Sequence, residues 1–300
     1  MYTSIIIITK DRIDQLKDCL ASIGRQTKLP DEIIIVDGSL NNDEAKNYIN
    51  DFGGLNIQYF SCAAGMTKQR NLGIKKIYDQ SKITIFCDDD IELETNALAK
   101  TINFFQKNPS AVGLTGDFIL EPKSSLAKII LGTFSGLYTA KTFGISCGLF
   151  NIINGDENIK EIDWLSGAYM AIRTNVVRQH FFDEWYTDYG LGEDLDYSLQ
   201  IKKMGSLYYS PDIKIKHFRF RIDFNWQNFG YQRIVNRYYI YKKHFTGNYY
   251  YWLGYWWANF WLLIFNIFRG IIIKKFRQQL AGNLQGLSAV LFHRHLLKIP

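Results

Sequence analysis

Three carboxylates stand side by side at Asp88, Asp89 and Asp90, directly after the apolar run 83–87. Adjacent carboxylates repel one another, and a divalent cation such as Mg²⁺ or Mn²⁺, which favours hard oxygen ligands, would relieve that repulsion. The same ion would suit the phosphates of a nucleotide. The plainer reading is a solvated acidic turn ahead of the next helix. Asp37, in VDGS, likewise ends a buried-type run, 32–36, although Asp-Gly-Ser alone is ordinary turn chemistry. Thr9 and Asp11 follow the same pattern at the end of run 4–9. In GMTKQRNLG, Lys68 and Arg70 lie near an expected helix start, where cations and backbone N–H groups can meet phosphate. Glu193 and Asp194, with Asp196 close behind, lead into another expected helix and offer either a cap or a general base. Trp164, Leu165, Ser166 and Gly167 offer a wall for a sugar ring, though such a tryptophan also suits a core. His217, after run 213–216, is a candidate imidazole ligand for the same metal. Neither GxxxxGK[ST] nor GxGxxG occurs, so the P-loop and dinucleotide fingerprints are excluded.

These side chains need elements that bring them to one edge. Runs 4–9, 32–36, 56–60 and 83–87 read as strands, and segments 13–23, 42–49, 67–78 and 95–106 as helices. Ile13, Leu16, Leu20 and Ile23 have helical spacing, with Asp11 as the expected cap. Strand and helix in alternation mean βαβ units, a mostly parallel sheet and strand ends gathered along one crevice. Residues 121–160 lose that alternation and read as an insertion or loop over the sheet edge. Regular structure is expected again at 162–172, in a helix over 195–204 and in short strands at 207–209 and 213–216.

The chain has 300 residues, 47% hydrophobic and 21% charged, which excludes a disordered or fibrous chain. Four scattered cysteines without a CxxC pair argue against a zinc ribbon or a disulfide framework. No basic n-region or cleavage site follows Met1, so no signal peptide is expected. The net charge of +6 hides an asymmetry: residues 201–300 hold 16 Lys and Arg against two acids, while residues 1–200 hold 19 against 27. Of the 47 aromatic residues, 21 lie between residues 218 and 268.

In order along residues 2–220, the segments IIIITKDR, EIIIVDGS, GMTKQRNLGI, IFCDDDIEL, WLSGAYMAIR, GEDLDYSLQIKKMG and SPDIKIKH resemble the family 2 glycosyltransferases, of the inverting, rhamnosyltransferase-like kind. The resemblance implies a GT-A catalytic domain over 1–220, α/β and Rossmann-like, with a mostly parallel sheet and flanking helices. It implies a nucleotide-diphosphate sugar donor of UDP or dTDP type and a divalent metal, Mg²⁺ or Mn²⁺. Thr9, Asp11 and Asp37 would line the nucleotide, with Arg70, Asp88 and Asp89 also facing the donor. Asp88 and Asp90 would form the DxD element, with His217 beside the diphosphate as a further metal ligand. Asp194 would be the catalytic base, and Trp164, Gly167 and Glu193 would face the acceptor. VDGSLNNDE departs from the commoner VDDxSxDxT, and the acidic triplet leaves open which two acids bind metal.

Residues 245–268 form a 24-residue uncharged stretch flanked by Lys242, Lys243, Arg269, Lys274, Lys275 and Arg277. Its length permits a membrane span. Tyrosine and tryptophan crowd its first half, which suits a helix lying in the interface, and residues 233–244 read as a basic amphipathic helix leading onto it. The expectation is therefore a C-terminal helical, membrane-associating region over 221–300, at the cytoplasmic face of the inner or plasma membrane. An oligomer interface or a lid is the other reading of this stretch. Nucleic acid is not expected as a partner, because no binding motif accompanies the charge. The acceptor would be a glycan or a lipid-linked molecule of surface-glycan synthesis. A polyprenyl-phosphate acceptor, or a noncatalytic nucleotide-sugar-binding role in a glycan-assembly complex, stands beside this reading.

Overall fold

Four consecutive isoleucines, Ile5 to Ile8, suit only a position covered on both faces, and they form the centre of β1 (Thr3–Thr9), buried along its whole length. The computed structural model describes residues 1–51, 53–120, 125–218 and 225–292. From β1 the chain runs through α1 (Ile13–Gly24), β2 (Glu32–Asp37), α2 (Asp43–Asp51), β3 (Ile57–Ser61), α3 (Met66–Ile74) and β4 (Ile83–Asp88). It continues through β5 (Ile91–Leu93), α4 (Ala97–Lys107) and β6 (Gly113–Phe118), then α5 (Leu126–Phe134), β7 (Gly144–Ile145) and β8 (Asn151–Ile152). Next come β9 (Lys160–Ile162), β10 (Tyr169–Arg173), α6 (Thr174–Val177), α7 (Glu193–Ile201) and β11 (Leu207–His217). Three long helices close the described chain: α8 (Trp226–His244), α9 (Tyr249–Ile272) and α10 (Lys274–Phe292).

Contacts divide the chain into two compact units, Met1–Pro122 with Gly155–Phe220, and Lys123–Asn154 with Arg221–Pro300. The first unit is built on a mixed sheet of order β3-β2-β1-β4-β10-β6-β11-β5, with β9 paired to β11. Strands β3, β2, β1 and β4 are parallel neighbours. β10 enters antiparallel between β4 and β6, whereas β6 and β11 are parallel. The sheet is thus less uniformly parallel than the alternation of its first half predicts, because β10 arrives without a helical crossover. α1 buries Leu16, Cys19, Leu20 and Ile23 against the sheet layer, and α4 buries Leu98, Ile102 and Phe105.

Several boundaries differ from the sequence pattern. α1 is capped at Arg12 without a side-chain bond, not by Asp11, which lies in the left-handed region at φ 54°. α3 stops at Ile74, short of residue 78. α7 begins at Glu193, two residues early, so both acids lie in its first turn. The two short strands expected over 207–216 are one strand, β11, with an irregularity between Tyr209 and Lys214. Residues 164–167 lie between β9 and β10 rather than in a strand.

The second unit joins residues 123–154 to the C-terminal helices, so the segment expected to cover the sheet edge folds with the tail. Arg237 of α8 donates to Gly148 O at 2.7 Å, and Trp257 of α9 donates to Phe134 O at 2.7 Å. α8 and α10 pack backbone to backbone: a Cβ on Gly282 would lie 1.8 Å from Gln227 O, and one on Gly230 would lie 2.3 Å from Gln279 O. α8 begins seven residues before the expected amphipathic stretch, and α9 covers 249–272 rather than 245–268. Among the described residues no helix is long and apolar enough to cross a membrane.

Candidate active site

Strand register brings the chemistry-bearing residues of the first unit to one edge. Thr9 lies opposite Asp37, and Ile8 opposite Asp88, at the C-terminal ends of three parallel strands. β11 pairs with β5 so that His217 faces Ile91, which carries the imidazole to the chain just after the acidic triplet. One ligand atom each from Asp88, Asp90 and His217 then lies within 4.8 Å of the others. His217 Nε2 is 3.2 Å from Asp90 Oδ1. Its Nδ1 is buried with no hydrogen-bond partner. Two carboxylates and an imidazole, with part of their bonding capacity unused, form a donor set that fits a divalent cation.

The middle acid of the triplet turns the other way. Asp89 is buried, accepting from Thr9 Oγ1 at 2.8 Å and from Arg12 Nη1 at 3.2 Å. Arg12 Nη1 also lies 3.4 Å from Asp90 Oδ2. Burial pushes Asp89 up to about 7, although Arg12 and Thr9 favour its charged form. Burial also opposes charge on Asp90, but His217 and Arg12 outweigh it and hold the group below the ordinary carboxylate range. The structure therefore does not place Asp89 or the Thr9 hydroxyl toward a donor: each is spent on the other. The repulsion within the triplet is met partly by protein cations. Arg12, adjacent to Asp11 in TKDR, is the residue that sequence reasoning missed, and the demand of three carboxylates for cations was its signal.

Asp37 is also internal. Its Oδ1 accepts from Ser39 N and Ser39 Oγ at 2.7 and 2.5 Å, and its Oδ2 accepts from Tyr59 Oη at 2.6 Å. One oxygen is thus engaged by the turn that follows Asp37 and the other by Tyr59 of β3. The exposed Asp11 is drawn beside it, its N–H donating to Ser39 Oγ at 2.8 Å. Gln69, unremarked in the sequence, ties strand ends together by donating to Thr9 O and Val36 O at 2.8 and 2.9 Å.

Arg70 is 1% exposed and does not present its guanidinium to solvent beside Lys68. It donates through Nη2 to Asp88 Oδ1 and to Gly167 O, both at 3.1 Å, and through Nη1 to Glu193 Oε1. Phe182 lies under the guanidinium, 5.2 Å from ring centroid to Cζ. Burial works against the charge of Arg70, and Glu193 and Asp88 more than restore it. Burial pushes Glu193 up to about 8, which Arg70 offsets only in part, and Glu193 Oε2 has no hydrogen-bond partner. Glu193 thus turns inward to Arg70 rather than toward an acceptor. Trp164, 2% exposed, belongs to the core and not to an acceptor wall.

Asp194 is half-buried at the start of α7. Its Oδ2 accepts from Gly167 N at 3.3 Å and its Oδ1 from Leu195 N at 2.8 Å. Burial raises its pKa above the ordinary range against these donors. Gly167 sits between the groups: a Cβ there would lie 2.9 Å from Arg70 Nη2 and 3.1 Å from Glu193 Oε1. Asp196 is buried within α7. The edge thus carries a donor set that fits a cation and, joined to it through Arg70 and Gly167, a carboxylate suited to accepting a proton.

The family model Glycosyl transferase family 2 matches residues 4–146. No protein of curated function matches the chain by sequence. Among solved structures, S. aureus TarS 1–349 in complex with UDP-GlcNAc is similar with a TM-score of 0.60 and 14% identity, over 99% of this chain and 84% of that one. GalNAc-T7 with UDP, GalNAc and Mn²⁺ gives a TM-score of 0.58 and 17% identity, over 74% of this chain and 44% of that one. The chain therefore matches less than half the length of the GalNAc-T7 chain. At these identities the likeness shows a shared fold, the mixed α/β GT-A sheet with flanking helices.

Proposed function

We propose that this chain, whose residues 4–146 match the model of glycosyl transferase family 2, is a member of that family and moves a sugar from a nucleotide-diphosphate sugar to an acceptor hydroxyl with inversion at the anomeric carbon. The observation that carries the reading is the convergence of Asp88, Asp90 and His217 within 4.8 Å on the sheet edge, tied through Arg70 to the turn bearing Asp194. The donor is a UDP or dTDP sugar, a reading supported by similar folds solved with UDP or UDP-GlcNAc. The acceptor is a glycan or lipid-linked hydroxyl of surface-glycan assembly.

Asp88, Asp90 and His217 would hold Mg²⁺ or Mn²⁺, an ion whose chemistry in such a site is to offset charge on a departing diphosphate. Asp194 takes the proton of the acceptor hydroxyl while that oxygen attacks the anomeric carbon. The bond from that carbon to the diphosphate oxygen breaks, with its electron pair leaving on the diphosphate. A single displacement with a base, and no protein nucleophile, inverts the centre. The raised pKa of Asp194 makes it a stronger base than an exposed aspartate. Arg70 positions this machinery by holding Asp88 from one side and Glu193 from the other.

Calorimetric titration of UDP, dTDP, GDP and CDP, with and without Mn²⁺, tests the donor site. A metal-dependent preference for one nucleotide supports the reading. Folded protein that binds none of them overturns it and favours a noncatalytic role. Asp194→Asn is expected to keep nucleotide binding while losing transfer.

A further inference from the structure

α5 is a nine-residue helix, LAKIILGTF, in which no residue is buried. Leu126 is 72% exposed, Ile130 62% and Phe134 60%, and their i, i+4, i+8 spacing puts them along one side. A helix of this composition lying bare in water gives up the burial that normally stabilises so short an element. Its C-terminal end meets α9 in the same unit: the Phe134 and Trp257 rings stand edge to face at 5.7 Å.

α9 has two opposite faces, one buried and one exposed. One face, including Tyr255, Ala258, Asn259, Leu262 and Asn266, is buried. The other runs the length of the helix through Tyr250, Leu253, Trp257, Phe260, Ile267 and Ile271, each at least 41% exposed. Trp257 belongs to this second stripe, so α5 and α9 present a continuous apolar surface with aromatic groups along it. The charge of the second unit has one sign. The described residues of the second unit carry ten lysines and arginines and no aspartate or glutamate. Lys128 on α5, Arg269 on α9, and Lys274, Lys275 and Arg277 on α10 are exposed.

We propose that α5 and the exposed stripe of α9 form one docking face for an anionic lipid bilayer, with the insertion helix as a second foot beside the C-terminal helix. Aliphatic side chains enter the acyl boundary, tyrosine and tryptophan sit at headgroup level, and the cations pair with lipid phosphate. Charge favours this occupant over a second copy of the chain, since two copies would bring together two surfaces without an acid between them.

The test uses the full chain and sedimentation with vesicles of phosphatidylcholine alone, or with about 30% phosphatidylglycerol. Wild type is expected to bind the anionic vesicles and to weaken as salt rises. Leu126→Gln with Ile130→Gln is expected to weaken binding roughly tenfold or more, with thermal unfolding unchanged. Leu40→Gln, at an exposed leucine of the first unit, is expected to bind as wild type. The proposal is overturned if wild type ignores anionic vesicles, or if the double variant binds them as well as wild type. It is also overturned if the lipid-free chain is a dimer that the double variant converts to monomer. Failure here is separable from failure of the transferase reading, because nucleotide titration of the double variant reports on the first unit alone.

Discussion

Asp88 and Glu193 are held by the same guanidinium: Arg70 Nη2 lies 3.1 Å from Asp88 Oδ1, and Arg70 Nη1 bonds Glu193 Oε1. A residue at the end of β4 and one at the start of α7 are thereby fixed to a single planar fork. The fork also reaches Gly167 O, whose own residue donates to Asp194. Placement of the acidic edge and placement of the base are in this way one structural fact.

Removing that fork should be costly. Arg70→Met removes the shared partner of Asp88 and Glu193 in a largely buried setting, and breaking such an interaction costs roughly 3–5 kcal/mol. Thermal unfolding should show a large loss of stability, and transfer should vanish. Arg70→Lys keeps the charge but not the fork, so it should recover much of the stability and little of the activity.

Gly167→Ala separates positioning from folding. Its Cβ must displace Arg70 Nη2 from 2.9 Å, and the neighbouring base moves with it. The expected outcome is a fall in kcat on the order of 10²-fold, with a stability loss of about 1–3 kcal/mol. Steady-state kinetics with unfolding curves would check this. Unchanged kcat would remove Gly167 from the account.

The triplet divides by direction. Asp90→Asn and His217→Ala should each weaken Mn²⁺ binding by about 10-fold or more, measured by calorimetry without nucleotide. Asp89→Asn should change Mn²⁺ affinity far less, because Asp89 faces Thr9 and Arg12. Equal losses for Asp89 and Asp90 would contradict the geometry.

Stability should carry a signature of Glu193. Its folded pKa, about 8, exceeds the ordinary 4.5, so the folded chain keeps a proton that the unfolded chain releases between those values. This contribution is complete below about pH 4.5 and is lost as pH rises through about 8, an effect on the order of a few kcal/mol. Glu193→Gln should flatten the decline, as measured by denaturant unfolding from pH 5 to 9. Activity should run oppositely on the acid side: Asp194 must be ionised to accept a proton, so the acid limb should lie above the ordinary aspartate range.

Much of this was legible in the sequence because β-branched runs buried on both faces announce parallel strands, and carboxylates just beyond such runs must gather at one edge. The spatial meeting of Asp88, Asp90 and His217 follows from that logic. Orientation does not. Asp89 reads like its neighbours until the turn is built, and Arg70 looks like an exposed cation until α7 supplies Glu193. β6 escaped notice because Gly113, Gly116 and Asp117 interrupt its apolar pattern. α10 was hidden because it buries Gln279, Gly282, Asn283 and Gly286, residues that mark no apolar stripe.

The second unit is discontinuous in the chain, and that fixes an order of events during synthesis. Residues 123–154 leave the ribosome well before α8 and α9, which provide their partners Arg237 and Trp257. Roughly 70 residues separate the two segments, so at ~5–20 residues per second the insertion waits for about 4–14 s with Tyr138, Phe143 and Leu149, which the finished unit buries, uncovered. A chain cut off after residue 220 would never end that wait, and should be recovered mainly with chaperones or in aggregates.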